Sequence, residues 1–586
     1  LGTARFWDGQ EPSNAGCALE MMERNNLAVP VFNNQLQSDK PELLYWLIIS
    51  AYQLFGVSEF AARFWSAVMA LGTIMATYGI GRRLFNPATA IYAEMILATS
   101  LMFGLTGRLA TDDSLALFCI TIALLLYVLG TFAPKTTAAD APILRCESNY
   151  FPEGIGWIIG TYTMLGLVAL SSGPVGALIP ISAIALFIML KRLPPVDIEI
   201  WNARGWLARV GSALLRPFAP RNVLATFWTM RPEIMVITWL VVCAPWFLVV
   251  NEQTGGLWTQ QFLMGESATI GSSGPGAWWT APLAILLGFF PWSLFLGPVM
   301  LEVDRHLTKR NHLQMAEAFL LCWIATQILC LLLLRSASPT SVSPCFPALA
   351  LLTGAFISRL AAGKTTTSSG LNRLVYIGMI ICGLLITATL IWTGSRYLSG
   401  DIRIASLGLI PVLGGIFALL LDMQRESHWS VIAYSASAVM LAIATFGFGT
   451  ISLDRHQQRQ TILNRLAETD NEIPIGSFAC LEPSWVYYAR RPIQLLSPGN
   501  EPLPPPATES NELWQATTPT PEQFVENHPN ALIITTDDEL ARLKERLPRD
   551  FRIIERAPWF MKGRDVILLS RDPFQHVARS VDRNRR

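Results

Sequence analysis

The chain has 586 residues and a formal net charge of +1. Hydrophobic residues make up 52 % of it and charged residues only 15 %, against roughly 25 % charged in a soluble globular chain. That deficit excludes an ordinary cytosolic enzyme and a disordered chain, and the balanced charge excludes a nucleic-acid binder that works through overall charge. A polytopic α-helical membrane protein remains, because about 20 apolar helical residues cross a bilayer core.

The chain begins at Leu1 rather than Met, in a segment that reads as a loop. The expectation is a missing natural N-terminus and a missing first membrane helix. Trp7-Asp8-Gly9-Gln10-Glu11-Pro12 opens a helix, with Pro12 suited to its first position. Ala15, Leu19 and Met22 then form a stripe suited to a membrane surface. Asp8 and Glu11 stand at the head of this helix, where carboxylates and free N–H groups can position a hydroxyl nucleophile. A capping Glu11 and a solvated Asp8 fit the same spacing. Ser38-Asp39-Lys40-Pro41 leads into the run 42–56, which is too short to span and carries Tyr45, Trp46 and Tyr52, as an interfacial helix does. Lys40 is expected to be exposed there, either holding a lipid phosphate as a point charge or snorkelling.

About a dozen spans follow, at 61–81, 88–106, 114–133, 154–171, 174–190, 232–250, 278–301, 316–335, 344–361, 374–393, 404–421 and 429–450. Between the second and third lies Arg108-Leu-Ala-Thr-Asp112-Asp113. One acidic residue there would cap the next helix, so the second carboxylate is in excess and open to function. Alternate connections are basic, including Arg82, Arg83, Lys191, Arg192, Arg221, Arg305, Arg359, Arg373 and Arg425. The other connections hold few cations: Arg108, Arg335, Arg396 and Arg403. The bias predicts a cytoplasmic basic side, with 1–60, 107–113, 251–277, 336–343 and 452–586 outside.

From about 452 charges return, and a Pro-rich stretch suggests a mobile loop near 497–520. Strands are predicted at Ile475–Ala479, Val486–Ala489, Ala531–Thr535, Arg552–Glu555 and Val566–Leu569, and a helix at Asp538–Leu547. The expected organisation is an active-site loop with interfacial helices over 1–60, a helical membrane domain over 61–451 and an extracytoplasmic α/β domain over 452–586. No His lies in the outer loops, so a His-based metal site is not expected, although carboxylates there can hold a divalent ion. No phosphate loop for ATP is present. Nine cysteines, mostly inside apolar runs, do not form a disulfide framework.

The order Trp7-Asp8-Gly-Gln-Glu11-Pro12, Asp39-Lys40-Pro41, Leu44-Tyr45-Trp46 and Glu59-Phe60-Ala61-Ala62-Arg63 resembles the first outer loop of the GT-C glycosyltransferases. The branch is that of aminoarabinose lipid A transferase and the protein O-mannosyltransferases. Phe289-Phe290-Pro291-Trp292-Ser293, Pro344-Cys-Phe-Pro347 and Pro483-Ser-Trp-Val-Tyr-Tyr-Ala-Arg-Arg491-Pro agree. The resemblance implies a thirteen-helix layout in a bacterial inner membrane. It also implies transfer of a sugar from a polyprenyl-phosphate donor to a lipid, protein or glycan acceptor outside. It places Asp8 or Glu11 at the acceptor, Asp113 in support, and Lys40 and Arg108 on the donor phosphate. Gln10 stands where the family has Asp, Ser13 where it has Arg, and Ala337 and Ser341 where it often has Lys and Tyr. Two other readings stay open: an impaired homologue that binds lipid-linked sugar or scaffolds an envelope complex, and a transporter. Transport would favour buried mid-span charges, of which Glu94 is the clearest here.

Overall fold

The computed structural model describes all residues except 1, 7–8, 134–145, 148, 194–215, 270–278, 311–314, 335–338, 366–367, 398–401, 456–461, 463–465, 467–472, 498, 500–517, 560–562 and 572–586. Among the described residues nine helices are long and apolar enough to cross a membrane, or eleven if each of two bent pairs is one span. The protein is a polytopic helical membrane protein with a C-terminal mixed-sheet domain.

The chain enters through α1 (Gln10–Glu23), a short hairpin of β1 (Val31–Phe32) and β2 (Gln35–Leu36), and α2 (Leu43–Phe55). The first span is α3 (Glu59–Leu84). The Ser58 hydroxyl accepts from the Ala61 N–H at its start, and Arg82 and Arg83 complement its C-terminal dipole. The second expected span, 88–106, is broken into α4 (Pro87–Thr99) and α5 (Leu101–Thr106). Ser100 takes an extended backbone between them, with its hydroxyl donating to the Leu97 carbonyl. Then come α6 (Asp113–Thr131), α7 (Ile155–Ser172) and α8 (Pro174–Lys191). The runs 232–250 and 278–301 are the bent pairs, broken by 45° and 109°. Proline accounts for both interruptions, since Pro245 and Pro291 cannot donate into a continuous helix.

Close helix crossings hold the bundle together. At Gly354 in Phe346–Ala361 an added Cβ would lie 2.8 Å from the Ala93 nitrogen and 3.0 Å from the Thr89 carbonyl oxygen, so only glycine lets α4 approach. The α1 stripe does not face a membrane surface. Ala15 and Leu19 are buried in the main core with Tyr45, Ile48 and Tyr52 of α2, because a second layer of protein covers them. Pro12 is the third residue of α1 rather than the first.

The tail folds as a five-stranded mixed sheet in the order β4-β3-β5-β7-β6. Its strands are β3 (Ile475–Phe478), β4 (Ile493–Leu496), β5 (Leu532–Thr536), β6 (Arg552–Trp559) and β7 (Arg564–Ser570). β3 runs parallel to β4 and β5, and β7 runs antiparallel to β5 and β6. Helix Asp537–Arg546 follows β5 at the expected place. Val486–Ala489 is not a strand: it is the end of helix Pro483–Ala489, whose first position is Pro483. Strand β4 was not expected. Its Ile493 and Leu496 face inward while Gln494 and Leu495 are exposed, an edge pattern too short to read. Most of the Pro-rich loop near 497–520 lies outside the described residues.

Candidate active site

Gly9 opens α1 with φ of 129°, a conformation that glycine adopts at little cost, and Gln10 and Glu11 follow in the first turn. Glu11 is 5 % exposed. Arg63, in the second turn of α3, grips it with both arms: Nε donates to Oε1 at 2.7 Å and Nη2 donates to Oε2 at 2.9 Å. The Ala110 N–H also donates to Oε1 at 2.9 Å, while the Ala110 carbonyl accepts from Asn14 Nδ2 at 2.9 Å. One turn of α1 thus holds the Ala110 residue at its N–H and its C=O. A buried carboxylate needs such pairing, because an unpaired one would be costly.

Lys40 is the centre of a second cluster. It is 5 % exposed, not the exposed interfacial cation that its flanking sequence suggested. Its Nζ donates to Asp112 Oδ1 at 2.8 Å and to Gln10 Oε1 at 3.5 Å, and lies 3.8 Å from Asp39 Oδ2. Burial disfavours the charged ammonium, but Asp112 and Asp39 outweigh it and hold its pKa above the ordinary lysine value. Asp113, the first residue of α6, accepts from Thr111 Oγ1 at 3.1 Å and from the Thr340 side chain. Thr340 belongs to the 3₁₀ turn Pro339–Cys345, so the start of that segment meets the start of α6.

Of the residues singled out from sequence, the structure gathers Glu11, Lys40 and Asp113 around the 107–113 loop. Asp8 lies outside the described residues. Arg108 has other partners: Nη1 donates to the Gly104 carbonyl at 2.8 Å, and its guanidinium lies 4.3 Å from the Phe446 ring centre. Ala337 lies outside the described residues, and the Ser341 carbonyl accepts from Gln327 Nε2. Sequence reasoning took Asp112 as a capping alternative, but it is the partner of Lys40 and its side chain caps nothing. From sequence, Arg63 stands out only as the end of the Glu59-Phe60-Ala61-Ala62-Arg63 stretch. A cation four residues into an apolar span was the available signal. Glu42 was missed: it is fully buried, and neither carboxyl oxygen meets hydrogen-bond geometry with a neighbour. Desolvation pushes its pKa up to about 8.

Residues 39–138, which hold Lys40, Arg63, Asp112 and Asp113, match the family described as dolichyl-phosphate-mannose-protein mannosyltransferase. The whole chain superposes on the crystal structure of ArnT from Cupriavidus metallidurans in the apo state, with a TM-score of 0.69 at 18 % identity over 97 % of this chain and 94 % of that one. This chain has the fold of ArnT and is similar in sequence to the aminoarabinose transferases. The same ArnT bound to undecaprenyl phosphate superposes with a TM-score of 0.68 at 18 % identity, over 99 % of this chain and 95 % of that one. An undecaprenyl phosphate-alpha-4-amino-4-deoxy-L-arabinose arabinosyl transferase of Edwardsiella ictaluri is 24 % identical over 75 % of this chain and 72 % of its own length. The similarity covers 58 % of the length of a Pseudomonas fluorescens protein of the same description, 26 % identical over 62 % of this chain. Among the described residues no group of three His, Cys, Asp or Glu side chains is placed to hold a metal ion.

Proposed function

We propose that this GT-C chain is an active, inverting transferase that moves a sugar from a polyprenyl phosphate to a lipid, protein or glycan acceptor on the outer face of a bacterial inner membrane. The observation that carries the reading is Lys40: a buried ammonium beside Asp112, Asp39 and Gln10, at the edge of interfacial helix α2. In this reading the donor phosphate takes Lys40 from Asp112, and Arg108 leaves the Gly104 carbonyl and the Phe446 ring to reach it as a second cation. Asp113, with Asp8, orients the acceptor hydroxyl and takes its proton. The acceptor oxygen bonds to the anomeric carbon, the bond from that carbon to the phosphate oxygen breaks, and the polyprenyl phosphate leaves with the electron pair. Lys40 stabilises the charge gathering on that leaving group. Glu11, already engaged by Arg63 and Ala110, keeps the two loops in register at the acceptor side.

Gln10 favours a second reading. Its amide oxygen lies 3.5 Å from Lys40 Nζ where the family has a carboxylate, and an amide does not act as a base. An impaired homologue would bind donor and transfer slowly. Membranes carrying radiolabelled polyprenyl-phosphate sugars separate the two. The active reading expects transfer by the wild type and a loss of about 10²–10⁴-fold in Asp113→Asn. Transfer seen only with Gln10→Asp would support the impaired homologue, and transfer by neither would contradict both.

A further inference from the structure

The C-terminal domain touches the catalytic loops through a set of side chains that the proposed reaction leaves unexplained. Helix Pro483–Ala489 packs along α1 and carries Tyr487 and Tyr488. The Tyr488 hydroxyl accepts from the Phe6 N–H at 2.9 Å and donates to Glu59 Oε1, at the head of α3, at 2.8 Å. Burial and then the Glu59 charge push this phenol well above the ordinary tyrosine value, so it remains a donor. Phe6 sits edge-on to Tyr487, with ring centres 4.9 Å apart. Arg63 completes the link: Nη1 donates to the Ala4 carbonyl at 2.6 Å, its guanidinium lies over the Phe6 ring, and its other arms hold Glu11.

The chain of contacts is continuous. It runs from Tyr488 to Phe6 and Glu59, from Phe6 to Arg63, from Arg63 to Glu11, and from Glu11 to the Ala110 N–H at the edge of the Asp112-Asp113 turn. A second fastening keeps the domain from sliding. The Asn33 side chain, in the turn between β1 and β2, donates to the Ile493 carbonyl at 2.9 Å and accepts from the Ile493 N–H at 2.7 Å. Ile493 is the first residue of β4, so a single amide docks the hairpin onto the edge of the tail sheet. A freely swinging accessory domain would need none of these directional contacts.

We infer that Tyr488 is a positioning residue of the active site, through which the C-terminal domain sets residues 4–6, the start of α1 and the 107–113 turn for transfer. The inference rests on the transferase reading of those loops. It is tested in the full chain by Tyr488→Phe, which keeps the ring and removes only the hydroxyl. Hydrogen exchange in lipid nanodiscs should speed up at amides 5, 6 and 110 by about ten- to a hundredfold, with β3 and β5 as protected as in the wild type. In membranes carrying radiolabelled polyprenyl-phosphate sugars, kcat should fall about tenfold while the Kd for undecaprenyl phosphate stays within twofold. Asn33→Asp, which keeps the acceptor and loses the donor, should give a smaller change of the same kind. Unchanged exchange at 5, 6 and 110 would overturn the inference, as would unaltered kcat in a transferring enzyme. If the wild type transfers nothing, the reaction proposal fails and the exchange result alone decides this one.

Discussion

Glu42 stands two residues from Lys40, yet its environment is the opposite. Lys40 has carboxylates on two sides, whereas the Glu42 oxygens are buried and bond to no neighbour. The sign of its effect on stability follows from its pKa. An acid that titrates near 8 when folded and near its ordinary value when unfolded binds more protons in the folded state between those limits. Stability therefore falls as pH rises from about 4.5 to 8. Glu42→Met removes the carboxyl while filling similar space, and should stabilise the protein by about 1–3 kcal/mol. Melting curves in detergent should show a higher Tm for the variant at pH 8.5 and a gap that narrows toward pH 5.5. A lower Tm throughout would mean that the carboxyl is bonded after all. Nothing in the sequence marks this residue, because an acidic side chain after Pro41 at a helix start reads as a helix-dipole partner.

At the scale of elements, the clamp between α1 and α3 is the joint that places the loop. Both Glu11 and Arg63 are buried, so removing either strands a charge, at a cost of about 3–5 kcal/mol. Arg63→Leu and Glu11→Leu should each lower the Tm, while the double variant should lose less than their sum, with coupling of about 0.5–3 kcal/mol. Strict additivity in the melts would show that the pair does not act as a unit. Sequence period located most of these elements, since long apolar runs and five of the tail's segments follow from hydropathy and alternation alone. What it left out are relations across long separations. Asp112 and Lys40 are 72 residues apart, and no spacing rule links them. Val486–Ala489 looked like a strand because a helix of seven residues buried on several sides shows no 3.6-residue stripe. The expected exposure of Lys40 failed for a similar reason: α1 and the 107–113 turn, which cover it, come from elsewhere in the chain.

For the whole molecule, the first 60 residues, the 107–113 turn, the segment from Pro339 and the tail domain gather at one end of the helix bundle. The basic connections lie at the other, where Arg83 donates to the Phe132 and Leu129 carbonyls at the end of α6. The proposed orientation puts the first end outside the cell. Protease added to intact spheroplasts should then trim the 452–586 domain, and protection until lysis would reverse the orientation. The central claim, that the buried ammonium of Lys40 receives a polyprenyl phosphate, is tested most directly by equilibrium binding of undecaprenyl phosphate to the full chain in nanodiscs. Lys40→Ala leaves Asp112 unpaired, so the comparison includes Lys40→Ala/Asp112→Asn, which restores the charge balance of the pair. A lost charge-assisted contact of ~1.5–3 kcal/mol should raise Kd about ten- to a hundredfold in both variants. A Kd equal to the wild type's in the double variant would contradict the account.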